Sequence, residues 1–156
     1  MPIGFMSPHT VASNKLRLLP DASLWHFGIL TSLMHNAWMR AVTGRLKSDY
    51  QYSVLVVYNN FVWPETASPA QRAKVEAAAQ AVLAARARYP GETLAQLYDP
   101  NLMPSDLLDA HHALDRAVDA CYRRDPFKSE MERVQHLFRL YEANVAPLTK
   151  PKSRRY

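Results

Sequence analysis

The segment Gly44–Pro64, GRLKSDYQYSVLVVYNNFVWP, contains the charged side chains whose spacing has the clearest chemical use. Lys47 and Asp49 lie two residues apart, and on an extended segment two such side chains project from the same face. A lysine donor beside an aspartate acceptor matches a G·C pair in the major groove, since lysine bonds guanine O6 or N7 and aspartate accepts from cytosine N4. The alternative is a surface ion pair worth under about 1 kcal/mol. Spacing alone does not choose between the two.

A second group of polar side chains around this segment suits contacts with phosphate oxygens. Basic and hydroxyl side chains make many of the contacts between proteins and the DNA backbone. The residues predicted for this role are Arg40, Arg45, Ser32 and Ser48. For Arg40 a local role stays equally open, because a helix C-terminus carries partial negative charge that an arginine neutralises.

Catalytic chemistry has no complete residue set in this sequence. The run Asn59-Asn60-Phe61-Val62 lacks the prolines of the Asn-Pro-Pro-Tyr loop that holds a flipped adenine in adenine methyltransferases. The four glycines are scattered along the chain, so no glycine-rich turn predicts a nucleotide-like cofactor. We therefore expect neither a catalytic residue nor a bound cofactor in this chain.

The best metal-like cluster is the pair His111-His112 with Asp109 and Asp115, since His111 and Asp115 fall four residues apart on one face of a predicted helix. Two ligands are weak evidence for a metal, and the expected role is an exposed pair that stabilises its helix. Cys121 falls on an apolar stripe, where a thiol is usually a small core residue. We expect no metal site.

Positive charge is concentrated near the two ends of the chain. Residues 1–64 carry five Lys/Arg against two acids, and residues 149–156 carry four against none, within a net charge of +5. A polyanion would be attracted to both regions; alternatively, the charge only aids solubility. No apolar run reaches the roughly 20 residues of a membrane span. Together with a single cysteine, this predicts a cytoplasmic protein.

The elements that must position these residues are predicted from apolar spacing. Residues 1–20, rich in proline, predict short extended pieces, with Thr10–Leu19 the best strand. Apolar residues at spacings of three and four predict one amphipathic helix over 23–43, ended by a left-handed Gly44. The β-branched and aromatic run Tyr50–Phe61 predicts a strand. Residues 47–49 lie just before it, in a turn or at the beginning of the strand.

Beyond residue 67 every pattern is helical. The signals for helix starts are, in chain order, Ser68 with Gln71, Thr93 with Gln96, Pro104, and Ser129 with Glu132. The first two pairs have the form of capping boxes, and proline is typical of a first helical turn. The predicted fold class is α+β and predominantly helical: short N-terminal strands with one long amphipathic helix, then a C-terminal helical bundle.

Several short runs of this sequence resemble a known family. They are Phe27-Gly-Ile-Leu-Thr-Ser32, Ala37-Trp-Met-Arg40, Gly44-Arg-Leu-Lys-Ser-Asp-Tyr50, Tyr58-Asn-Asn-Phe61 and Trp63-Pro64, followed by Leu97-Tyr-Asp-Pro100, Met103-Pro104 and the residues from Arg133 to Tyr141. The earlier runs resemble the end of the target recognition domain in MmeI-like type II restriction-modification enzymes. The later runs resemble the small helical domain that ends those chains. The sequence departs from the pattern at Val62, where the family usually has proline, and at Gln51, where arginine is common.

The resemblance implies a domain organisation and a function. Residues 1–66 would end a target recognition domain, residues 67–148 would form the C-terminal helical domain, and residues 149–156 would be a basic tail. Enzymes of this family join a nuclease, an S-adenosylmethionine-dependent N6-adenine methyltransferase and a recognition domain in one long chain. The chain would therefore be the DNA sequence-recognition portion of such an enzyme, not catalytic by itself. Its implied partners are double-stranded DNA and the methyltransferase catalytic domain or subunit, and the parent enzyme would hold the S-adenosylmethionine.

The resemblance also implies which side chains read bases. The family places them on either side of the serine in the Gly-Arg-Leu-x-Ser-x element, which here gives Lys47 and Asp49. Lys15 and Gln51 are weaker candidates for another base pair. Two other functions stay open: a helical protein-interaction module that docks on a methyltransferase core without DNA contacts, and a small independent enzyme, for which no residue set is found.

Overall fold

Helices make up most of the computed structural model, which describes residues 3–14, 16–47 and 49–149. The elements, in order, are α1 Leu24–Thr31, α2 Leu33–Val42, β1 Arg45–Leu46, β2 Asp49–Tyr50, a π-helix Val54–Tyr58, α3 Pro69–Ala87, α4 Leu94–Leu97, α5 Ser105–Tyr122 and α6 Glu130–Thr149. The strands β1 and β2 form an antiparallel pair. The predominantly helical α+β class is confirmed. Within the described ranges, none of the helices has the length and apolar character needed to cross a membrane.

The helix predicted over 23–43 is in fact two helices, α1 and α2, separated at Ser32. The backbone of Ser32 is extended, with φ −66° and ψ 162°, and its hydroxyl donates to the Ile29 carbonyl at 2.7 Å. The N–H of Leu33, the first residue of α2, donates to Asp115 Oδ1 at 2.7 Å. These side chains satisfy backbone groups that a continuous helix would pair internally, and this stabilises the break.

The strand predicted over Tyr50–Phe61 is wrong for most of its length. Only Tyr50 belongs to β2, and Val54–Tyr58 is a single π-helical turn. Side chains bond the backbone of this turn: Ser53 Oγ accepts from Val56 N–H at 3.3 Å, and Asn60 Nδ2 donates to the Leu55 carbonyl at 2.7 Å. Such local hydrogen bonds compete with a strand ladder, so they override the β-branched composition.

Two further expectations for the N-terminal third are also wrong. The helix α2 ends at Val42, and Gly44 is not left-handed; among the described residues, positive φ is found at Asp21 and Lys47 instead. The described part of Thr10–Leu19 contains no strand.

The predicted helix starts after residue 67 are confirmed. Ser68 and Thr93 each accept from a backbone N–H three residues later, in complete capping boxes. Pro104 immediately precedes α5. Ser129 Oγ accepts from the N–H of Glu132 at 3.2 Å, in the first turn of α6.

Packing divides the chain into two compact units, each of which combines residues from before and after residue 66. The first unit holds residues 1–36 and 64–126, and the second holds residues 37–63 and 127–156. The domain boundary between residues 66 and 67 is inferred from the family resemblance, and it stays a prediction. The two packing units do not divide at that boundary.

Each unit has its own core. In the first unit, Gly28 of α1 lies so close to α3 and α5 that an added Cβ would meet Val75 Cγ1 at 2.8 Å and Leu114 Cδ1 at 3.3 Å. In the second unit, the buried Trp38 ring lies 5.2 Å from Phe138 and 5.9 Å from Tyr141, measured between ring centroids. Its indole N–H donates to the Val57 carbonyl at 3.0 Å, which satisfies a polar group that would otherwise be buried unpaired.

Candidate nucleic-acid interface

The residues predicted to read bases around Lys47 lie on a short hairpin in the second unit. Arg45 pairs with Tyr50 and Leu46 pairs with Asp49, so the connection between β1 and β2 is two residues long and begins with Lys47. The Gln51 N–H donates to the Gly44 carbonyl at 3.0 Å, which extends the pairing by one residue. We call residues 44–51 the 44–51 hairpin.

Lys47 and Asp49 do not share one extended segment, so the geometry assumed for their common direction is wrong, although the turn left open for this segment is found at Lys47. Lys47 is left-handed, with φ 59°, in the turn itself, whereas Asp49 begins β2. The two-residue turns that match the twist of paired strands need positive φ, which explains the conformation of Lys47. Both residues still lie at the turn end of one hairpin, but their relative direction is set by the turn and not by strand alternation.

The two faces of the 44–51 hairpin carry different side chains. Residues directly opposite one another in an antiparallel pair share a face, and neighbours along a strand alternate. Arg45 and Tyr50 therefore lie on one face, and Asp49 and Gln51 lie on the other. The hairpin residues predicted to read bases are thus Lys47 at the turn, with Asp49 and Gln51 on a single face.

These three side chains are exposed: Lys47, Asp49 and Gln51. In the part of the chain that the structure describes, Lys47 and Asp49 form no ion pair with each other. The simple alternative of a mutual surface ion pair is therefore not formed here, and both charges face solvent. The other predicted contacts, Lys15 and Ser48, lie outside the described residues.

Arg45 is held by a tyrosine on the same face of the hairpin. Its guanidinium carbon lies 4.3 Å from the centre of the Tyr50 ring, and one of its terminal nitrogens donates to the Tyr50 hydroxyl. An arginine has five N–H donors in a fixed plane, so this arrangement orients the group and leaves donors for a phosphate. At the base of the hairpin, Thr43 Oγ1 donates to the Gln51 carbonyl.

Arg40, in the last turn of α2, forms an ion pair with Glu130 at the start of α6. Its Nε donates to Oε1 at 2.7 Å and a terminal nitrogen donates to Oε2 at 2.6 Å. The side chains are 29% and 49% exposed, so the pair lies at the surface. Sequence reasoning missed Glu130 because it lies 90 residues away in the chain, and no local pattern connects the two positions.

Ser32 lies where a phosphate cannot reach it. The residue is 0% exposed, and its hydroxyl donates to the Ile29 carbonyl and accepts from the His35 N–H. The predicted backbone contact is therefore contradicted by burial, and its physical role is to form the break between α1 and α2.

The pair His111 and Asp115 is not the exposed pair expected from the sequence. His111 Nε2 lies 2.6 Å from the Tyr98 hydroxyl, which also accepts from Arg86 Nε at 2.8 Å. Burial, followed by the charge of Arg86, lowers the pKa of His111 to about 4. Asp115 is buried and accepts from the N–H of Leu33. Both side chains thus support the first unit, and the described residues contain no group of three or more potential metal ligands.

Two further ionisable groups are held in their protonated forms by burial. Cys121, expected in the core, is buried, and burial raises the pKa of its thiol. A protonated thiol is a poor nucleophile, which agrees with a packing role. Tyr52 follows the 44–51 hairpin and is half-buried; burial raises its pKa to about 12, so its hydroxyl remains neutral.

Family models match most of this chain. Residues 1–65 match the family model of the MmeI target recognition domain, and residues 67–149 match that of the MmeI C-terminal domain. The chain is 41% identical over 142 residues to DNA methyltransferase A of Bacillus subtilis (strain 168), covering 91% of this chain and 16% of that relative. It is similar to a solved structure of the Type IIL restriction-modification enzyme MmeI in complex with DNA, with a TM-score of 0.78 and 47% identity, over 81% of this chain and 17% of that one. The chain thus spans about a sixth of the length of each relative.

Proposed function

Since the chain belongs to the family of MmeI target recognition and C-terminal domains, we propose that it is the DNA sequence-recognition portion of an S-adenosylmethionine-dependent N6-adenine DNA methyltransferase or type II restriction-modification enzyme. In this proposal residues 1–66 end the target recognition domain, residues 67–148 form the C-terminal helical domain and residues 149–156 are a basic tail. The partners are double-stranded DNA and a methyltransferase catalytic domain or subunit, and the location is the cytoplasm. The chain itself supplies no catalytic residue.

The observation that carries the proposal is the 44–51 hairpin. The major groove of B-DNA admits a two-stranded β-ribbon, and base edges there present a distinct pattern for each pair. Lys47 at the turn supplies a donor for guanine O6 or N7, and Asp49 on β2 supplies an acceptor for cytosine N4. Gln51, on the same face as Asp49, has both a donor and an acceptor and can contact a further base. Lys15 stays in the proposal on the resemblance alone.

A double charge reversal tests this role directly. In Lys47→Glu with Asp49→Arg, the donor and the acceptor exchange places, so the preferred base pair should change while overall affinity stays similar. The measurement is sequencing of duplexes that the full chain retains from a randomised pool. The matched control is Lys74→Glu with Glu76→Arg, which reverses charges at the same spacing on α3 and should leave the preference unchanged.

A uniform loss of binding to every sequence would contradict the proposal and would make Lys47 and Asp49 general phosphate contacts. If the unaltered chain shows no salt-dependent binding to DNA at all, the recognition role fails. The helical region would then be a docking module for the methyltransferase core.

The proposed backbone contacts are Arg40, Arg45 and Ser48. Each phosphate contact by a cation releases counterions, so Arg40→Ala or Arg45→Ala should weaken binding to all sequences and lower the salt slope by about 1. An unchanged slope would mean that the side chain does not touch phosphate. Ser32 is not included, because its hydroxyl is buried.

The residues of this chain do not fit S-adenosylmethionine. A nucleotide-like cofactor needs a glycine-rich turn between a strand and a helix. Gly28 lies within α1 against α3 and α5, Gly44 lies at the base of the 44–51 hairpin, and the other glycines, Gly4 and Gly91, stand alone. In the proposed assignment the cofactor is therefore bound by the catalytic part of the parent enzyme.

A further inference from the structure

The strands of the 44–51 hairpin are too short to make it stable without other contacts. Each strand is two residues long, and an isolated two-stranded hairpin is at best marginally stable in water. The turn adds a further cost, because Lys47 has a side chain and adopts φ 59°, a conformation that glycine or asparagine adopts more easily. Some contact outside the strand ladder must therefore stabilise the arrangement of Lys47 and Asp49.

The face opposite Asp49 provides such a contact. Arg45 and Tyr50 are directly paired across the strands, the guanidinium lies over the ring at 4.3 Å, and the tyrosine hydroxyl accepts from the arginine. A cross-strand pair of this kind stabilises one register, and a shift by a single residue would move Asp49 to the other face. The pair therefore stabilises the register in which Asp49 and Gln51 lie on the face opposite Arg45.

We propose that Tyr50 is a positioning residue for base recognition: with Arg45 it locks the register and shape of the 44–51 hairpin, so that Lys47 and Asp49 meet one base pair. This inference rests on the proposed function. Tyr50 makes no contact with DNA in this role and lies on the face opposite Asp49 and Gln51. Its effect is on discrimination between sequences and not on general affinity.

The test uses three variants of the full chain. Tyr50→Ala removes the ring and the hydroxyl, Tyr50→Phe keeps the ring over which Arg45 lies, and Arg133→Ala is the matched control. Arg133 lies over the Phe127 ring at 5.5 Å, away from the hairpin in sequence. The measurements are base preference in a randomised duplex pool, the slope of affinity against salt concentration, and the thermal midpoint.

An arginine–aromatic contact at an exposed site corresponds to about a two- to fivefold change in an equilibrium. Because specific binding needs the formed hairpin and general binding does not, Tyr50→Ala should lower discrimination at one base pair by about two- to fivefold. Its salt slope and its affinity for unselected DNA should stay unchanged. Tyr50→Phe should retain a large part of the discrimination, and Arg133→Ala should retain all of it.

Unaltered discrimination in Tyr50→Ala would overturn the inference while the proposed function stands. So would a lower salt slope with the base preference intact, since Tyr50 would then act only through a phosphate contact of Arg45. A lower thermal midpoint with equal loss of binding to all sequences would assign Tyr50 a general structural role, which also overturns it. Absence of any base preference in the unaltered chain would instead overturn the proposed function, and the inference with it.

Discussion

Replacement of Gly28 by alanine should destabilise the protein, although alanine is the better helix former. In a helix interior the change from glycine to alanine gains about 1 kcal/mol. Here the new Cβ would lie 2.8 Å from Val75 Cγ1 and 3.3 Å from Leu114 Cδ1. Val75 is β-branched and 0% exposed, so it cannot rotate away freely. Overpacking of this kind costs about 1–3 kcal/mol.

For Gly28 we expect the upper half of that range, because the contact is with a stiff, fully buried side chain. After the gain in helix propensity, the net loss in the free energy of unfolding is about 1–2 kcal/mol. For a chain of this size that lowers the thermal midpoint by about 2–8 °C. Urea unfolding followed by far-ultraviolet circular dichroism measures the free energy. Gly91→Ala is the matched control, since nothing lies within 4 Å of its Cβ position, and it should stay within about 0.5 kcal/mol.

The cause can be isolated by a double-mutant cycle. Val75→Ala removes the methyl group that the new Cβ meets, so Gly28→Ala in that background should be at least about 1 kcal/mol less destabilising than in the unaltered chain. If Gly28→Ala is stabilising, or if the two changes add without coupling, the close approach of α1 to α3 does not limit stability and the reasoning fails. The cycle also measures an interaction between the two matched domains, because α1 lies in the match to the target recognition domain and α3 lies in the match to the C-terminal domain.

Two further predictions concern a buried histidine and a surface ion pair. His35 is 0% exposed, and burial lowers its pKa to about 4; the unfolded chain therefore binds more protons between pH 6.5 and 4, so stability should be full above pH 6.5 and fall below it. Thermal midpoints from pH 4.5 to 7.5 should depend less on pH in His35→Gln, and an equal pH dependence in both proteins would contradict this. Glu130→Gln should remove a carboxylate that competes with phosphate for Arg40, and so strengthen DNA binding with a steeper salt slope, at a stability loss below about 1 kcal/mol. Asp106→Asn, which removes an acid from a second ion pair, is the control, and equal effects of the two changes would argue against a phosphate role for Arg40.

The sequence predictions are correct where residues close together in the chain determine the local structure. They are wrong where a distant residue or an unrecognised side-chain hydrogen bond determines it. Helix starts such as Ser68 with Gln71 are fixed by hydrogen bonds within four residues, and the sequence predicts them correctly. The break at Ser32 depends on Asp115, 82 residues away from Leu33, and periodicity cannot detect it. The run Val54–Tyr58 has the composition of a strand, but hydrogen bonds from neighbouring side chains form a π-helical turn.

The candidate interface stays a prediction, and the geometry found at its residues depends on distance along the chain in the same way. The proposal that Lys47 and Asp49 act together needed only their closeness in sequence, and a two-residue turn preserves that closeness even though the extended geometry was wrong. The partner of Arg40 could not be found, because Glu130 belongs to a distant helix. Closeness in sequence is therefore kept despite an error in local conformation, whereas ion pairs between distant parts of the chain, such as Arg40 with Glu130, cannot be predicted from local patterns.

If the 44–51 hairpin reads bases as proposed, its arrangement separates stability from specificity. Core residues such as Val75 of α3 are fully buried close to another helix, so a change there alters folding. Lys47, Asp49 and Gln51 are exposed, and surface substitutions without buried partners usually change stability by less than about 0.5 kcal/mol. If the pair of Arg45 with Tyr50 holds the hairpin, the three exposed side chains can be exchanged for other donors and acceptors with little effect on folding. A recognition portion built in this way can acquire a new base preference by substitution at its exposed face alone.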